Sequence, residues 1–243
     1  MTSTTLQHLG TTSTTSTAAP VLVPHGEVER GTRLRRVASG ATVIAAGVVT
    51  LAGFLTCPWE NTAGQDAYLH SLLSNPPMAM LSMVLLHYGY LLFVPAVFVL
   101  ARLARRGSPK LAGTALVLGV LGSGLSGLLV TDAYDLSLAQ HLPLTQALAV
   151  EDGISLPGML AIALPSAFGT IFGLVLVLAA MWRARWISFV PMVLMLAGWV
   201  IGYGAHTLVR AGSGATLVAI ALVMVGFRVL RMSDAEFATG ERA

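Results

Sequence analysis

Charge is what this sequence has least of. Asp, Glu, Lys and Arg make up only 10% of its 243 residues, where a soluble globular domain carries about a quarter, so an ordinary water-soluble fold is excluded. There is one cysteine, Cys57, which rules out an intramolecular disulfide and leaves no spacing for a zinc or iron–sulfur site. No glycine-rich phosphate loop follows a strand-like run, no nucleophile elbow occurs, and no zincin-type histidine pair sits on a helix. Also missing is a basic start followed by an apolar core, which argues against a cleaved signal peptide.

What is present is apolar surface. Hydrophobic residues reach 55%, so the bilayer is expected to be the solvent. The net charge of +3 does not indicate nucleic acid, because the Arg and Lys residues sit in short clusters beside apolar runs, where they orient a chain in a membrane. The fold class expected is all-α, an integral membrane bundle of six transmembrane helices.

The clearest run is 78–101, MAMLSMVLLHYGYLLFVPAVFVLA, long enough to cross a hydrocarbon layer of about 30 Å as a helix. The other expected spans are about 37–56, 111–131, 155–181, 187–205 and 208–227. Residues 1–36 begin with a tract more than half Ser and Thr, which cannot bury enough apolar surface to offset its ordering entropy and reads as a disordered tail. The transmembrane domain then covers 37–230, and 231–243 reads as a short polar tail. Between the first two spans, the middle of the loop suits a short interfacial helix ending before Asn75. Between the third and fourth, Pro143 should split an interfacial segment in two. Pro165 should kink the fourth span.

With six spans, the basic residues at 30–36, 102–110, 183–185 and 228–242 fall on one side, leaving Arg210 alone on the other. That bias makes both termini cytoplasmic and the cytoplasmic (inner) membrane the expected location, with Tyr134, Trp182 and Trp186 in the interfacial belt. Gly119, Ser123 and Gly127 are four apart, as are Gly198 and Gly202. Each set gives a helix face that admits close packing, within the chain, to a second copy, or to a partner membrane protein. A shift of 78 residues lays the second and third spans over the fourth and fifth, setting Gly124 on Gly202, but the identities are too few to establish a repeat.

Two constellations can carry chemistry. His87 is the only ionisable group well inside an apolar run, about 14 Å from its outer start. Such a group needs a partner and marks a ligand or proton site by default. Tyr90, three residues on, is its nearest hydrogen-bonding neighbour on the helix. Met83, one turn before, would with His87 offer a thioether and an imidazole to Cu(I) or a haem iron, although no second histidine at matching depth supports bis-histidine haem. A neutral histidine bonded to a neighbouring helix is the plainer alternative.

The second constellation is at the outer mouth. Asp132 and Asp135 share a helix face, and His206 and Arg210 end one span and begin the next. Together they are a set for acid–base work or a divalent metal, against the alternative of an interfacial ion-pair network. No cofactor is specified by these residues.

Three functions compete. The first is a non-catalytic subunit, or a binder of a lipid-like or small hydrophobic ligand within the bundle. The second is an enzyme acting on a lipid or isoprenoid at the outer leaflet through Asp132, Asp135 and His206. The third is a small transporter, which the shortage of intramembrane charge disfavours. The topology is testable directly. In a Cys57→Ala background, a membrane-impermeant thiol reagent applied to intact cells should label Ser137→Cys and spare Ser233→Cys; the reverse pattern would invert the orientation.

Overall fold

The computed structural model describes residues 25–58, 64–129, 131–153, 156–202 and 208–241. Among them the chain is all helix, in ten segments with no strand. The long ones are α1 (His25–Thr56), α3 (Pro76–Ala104), α4 (Pro109–Leu128), α7 (Leu156–Arg183) and α9 (Leu208–Leu230), and these five are long and apolar enough to cross a membrane. The short ones are α2 (Gln65–Ser74), α5 (Thr131–His141), α6 (Leu144–Gly153), α8 (Val190–Gly202) and α10 (Asp234–Thr239).

Local chemistry sets the boundaries. Asn75 caps α3 by accepting from the Met78 amide at 3.3 Å, and Pro76 and Pro77 occupy its first positions, where a missing N–H costs nothing. Pro143 separates α5 from α6 as expected, and α2 ends directly before Asn75. α7 continues across Pro165. Where 187–205 was expected to cross the membrane, the described helix is α8, 13 residues long, about 20 Å at 1.5 Å per residue. Residues 203–207 lie outside the described residues. α1 starts at His25, upstream of the expected span start at 37.

The helices close a ring in the order α1, α3, α4, α7, α8, α9, with α3 also touching α7. Lipid supplies no hydrophobic drive for helices to associate, so close van der Waals approach and interhelical hydrogen bonds must hold them. Glycines provide that approach. Gly119 and Gly122 of α4 face Gly173 and Gly169 of α7, and a methyl on Gly122 would collide with the backbone of Gly169 and Thr170. At the same crossing the Ser126 hydroxyl lies 2.7 Å from that of Ser166 and 3.1 Å from that of Thr170. Gly53 of α1 receives Leu86 of α3, and its carbonyl accepts from the Ser82 hydroxyl at 2.8 Å. Gly40 and Gly47 of α1 face α9, and Gly198 of α8 faces Gly214 of α9. Gly124, by contrast, faces open space while Gly202 packs on Gly214, so the pair aligned by the 78-residue shift is not equivalent in packing.

The main core lies toward the basic end of the bundle, around Phe93, Leu100, Leu174, Leu178, Met181 and Leu222. Trp186 belongs to it. Although its sequence position suits a belt residue, it is only 4% exposed and its indole N–H donates to the Leu103 carbonyl at 3.0 Å. Trp182 and Tyr134 are exposed.

The stretch read as a polar tail contains α10, which docks on the same end. Ser233 and Glu236 form a reciprocal capping box and Gly240 closes the helix in the left-handed conformation. Phe237 is buried under the Arg102 guanidinium, 5.5 Å from the ring centre. Arg36 of α1 pairs with Asp234 at 2.8 Å, and Arg106 pairs with Glu241.

The crossing of α4 and α7 makes a sharp prediction. Gly122→Leu should lower the thermal midpoint in detergent by the equivalent of about 1–3 kcal/mol or more of overpacking, whereas Gly124→Leu, two residues away and facing open space, should leave it nearly unchanged.

Candidate functional site beneath the helical cap

The site is built on α3. His87 is eleven residues after Pro76, about 16 Å along the helix. At 100° per residue, Met83 and Leu91 lie one turn to either side of it on nearly the same face. The surroundings of those two residues locate His87.

Met83 is 4% exposed and packs in a hydrophobic cluster of its own, apart from the main core, with Leu69 and Leu72 of α2, Leu136 and Ala139 of α5, and Ala147 of α6. The three short helices thus form a cap over the half of α3 nearer Pro76. Leu91, on the other side, packs against Gly127 near the end of α4. His87 lies between these two contacts along α3, and α5 begins with Thr131 and Asp132. The imidazole is half-buried, with Nδ1 out of reach of solvent.

This geometry draws together elements that the sequence had left separate. Asp135 is half-buried on α5, and the contacts of α5 run to α2, α3 and α6. The helix that carries the paired carboxylates consequently lies against the helix that carries His87. Asp132 is the second residue of α5, but its side chain lies outside the described residues, as does His206 altogether. Arg210 is exposed in the first turn of α9. Tyr90 is half-buried and meets Phe93 edge-on, with centroids 5.9 Å apart at 68°.

Other polar groups in the spans are committed to packing or lack partners. The Ser126, Ser166 and Thr170 hydroxyls bond to one another, and Thr170 also donates to the Ser166 carbonyl at 2.8 Å. Two buried hydroxyls, Thr50 and Ser123, make no hydrogen bond among the described residues. Thr50 packs against Gly89, on the α1-facing side of α3 and away from His87. Among the described residues no group of three or more His, Cys, Asp or Glu could hold a metal ion. The Met83 thioether sits among leucine and alanine side chains, where a flexible unbranched side chain fills irregular space.

Comparison with family models, with curated proteins and with solved structures finds no match. The reading of function therefore rests on the side chains.

A concavity lies at the opposite end, where the sequence offered no site. The turn Trp182-Arg183-Ala184-Arg185 reads as a minimal connection between spans, yet it opens a cavity of about 350 Å³ lined by Arg185, Ser188, Met224 and Arg228 among others. The available signal was the recurrence of arginine at 183, 185 and 228 beside apolar helices.

If the cap is a unit of its own, it should loosen on its own. Leu136 is 1% exposed at its centre, and Leu136→Ala should remove about 2–5 kcal/mol of packing. Hydrogen exchange should rise across α2, α5 and α6 while α4 and α7 stay protected; uniform loss of protection would make the cap part of one cooperative core.

Proposed function

We propose that this chain is a non-catalytic membrane protein of the cytoplasmic membrane that binds a lipid-like or small hydrophobic ligand between the outer cap and α3. In this reading it has six spans, with 187–205 as the fifth, and both termini are cytoplasmic. The observation that carries it is the separate hydrophobic cluster around Met83, one helical turn from the single imidazole inside a span. A cap of short helices with its own core can part from the bundle without breaking the glycine crossings beneath it. His87 and Tyr90 give such a ligand a polar anchor in otherwise apolar surroundings. Arg210, exposed at the start of α9, fits an acidic ligand group at the rim. The same reading allows a homo-oligomer or partner membrane protein along the exposed helix faces.

One observation favours a second reading, an enzyme acting on a lipid or isoprenoid at the outer leaflet. α5, the helix of Asp132 and Asp135, packs against α3, the helix of His87. In that reading Asp132, Asp135 and His206 supply acid–base groups.

Native mass spectrometry of the full chain in mild detergent separates the outcomes. The binding reading expects a retained hydrophobic molecule of defined mass, reduced at least about tenfold in occupancy by His87→Leu, which removes an anchor worth about 1.4 kcal/mol, with the thermal midpoint of the ligand-free protein preserved. Retention unchanged by His87→Leu, or a bare chain from every gentle preparation, would contradict it. A mass that shifts on incubation with lipid in the parent protein and not in Asp135→Asn would favour the enzyme.

A further inference from the structure

The cavity at the basic end has the chemistry of an anion site, and it is independent of the ligand beneath the cap. Its frame is rigid. α7 ends in a closed turn in which the Trp186 amide donates to the Met181 carbonyl at 2.9 Å and the Arg185 amide to that of Trp182 at 2.8 Å. This closure places Arg185 in the left-handed conformation, φ 61°, the one described non-glycine residue there. Glycine would hold that position without steric cost. An arginine at a strained backbone position points to a use for its side chain.

The second guanidinium comes from α9. Arg228 Nε donates to the Trp186 carbonyl at 3.1 Å, and Trp186 is itself fixed through its indole to the Leu103 carbonyl. Arg228 is thereby held by one nitrogen while its side chain lines the cavity with Arg185 and Ser188. No carboxylate is among the described lining residues. α8 begins two residues after Ser188, adding the positive end of its dipole to the same space.

Below the cavity the surface turns apolar. Met224 lines it and is exposed, as are Ile220 and Phe227 on α9 and Val193 and Leu196 on α8. Two guanidiniums and a hydroxyl at the end of the spans, above an exposed apolar wall, match the two parts of an anionic phospholipid. We propose that this cavity binds a phosphate group, and that its source is the headgroup of an anionic phospholipid whose acyl chains lie along α8 and α9.

The test uses the full chain in mild detergent, titrated with phosphatidylglycerol, with phosphatidylcholine, and with inorganic phosphate, read by native mass spectrometry and thermal shift. Phosphatidylglycerol should bind and stabilise, and phosphatidylcholine should do so markedly less. Arg185→Gly removes a guanidinium while relaxing the backbone, so the variant should fold at least as well and bind phosphatidylglycerol about fivefold more weakly. Arg228→Gln should weaken it comparably. Lys110→Gln, at the same end but outside the cavity, should change nothing. Equal weakening by Lys110→Gln would show diffuse surface attraction and overturn the site. Stabilisation by inorganic phosphate with no preference for phosphatidylglycerol would overturn the lipid as source, and tight binding retained in both arginine variants would overturn the assignment altogether.

Discussion

Backbone contact between helices is the constraint on which the rest of this structure depends. In a hydrocarbon solvent, leucine gains little by leaving lipid for protein, so a bundle must be held by close approach and by satisfied polar groups. The chain meets this with Gly119, Gly122, Gly169 and Gly173 where α4 meets α7, and with Gly53 and Gly89 where α3 meets α1. The Ser126, Ser166 and Thr170 hydroxyls and the Ser82 bond to Gly53 sit at those same crossings. Because α3 is gripped from both sides, its remaining face is fixed in direction. That direction turns Met83 into the cap cluster.

The two ends of the bundle use polarity differently. At the basic end, Arg36, Arg102 and Arg106 fold a short helix back over the core, and a second pair, Arg185 and Arg228, lines a cavity. At the other end, three short helices bury leucines around Met83 and carry carboxylates on α5. A protein with so few charges concentrates them where function or anchoring requires them.

Periodicity and length made the long helices legible, and Pro143 and Asn75 marked the breaks in the interfacial segments, because apolar runs and backbone-limited residues act locally. The small-residue faces were legible for the same reason, although their partners were not: nothing in the spacing of Gly119 says that Gly173 lies opposite. The α5 carboxylates and His87 read as belonging to two sites because the packing of α5 against α3 is a tertiary fact. Trp186 suited the interface by position, yet its indole is consumed by the Leu103 carbonyl. α10 was hidden in a six-residue segment whose stability comes from a capping box and docking rather than from its own periodicity.

The cap holds α5 against α3 beside Met83. The decisive test is a short homobifunctional thiol crosslinker applied to the Met83→Cys, Leu136→Cys double variant in a Cys57→Ala background, with the protein in its native membrane. Efficient intramolecular crosslinking is expected between these two positions and none between Met83→Cys and Val218→Cys of α9. Crosslinking absent in the first pair, in protein that retains its thermal transition, would contradict it.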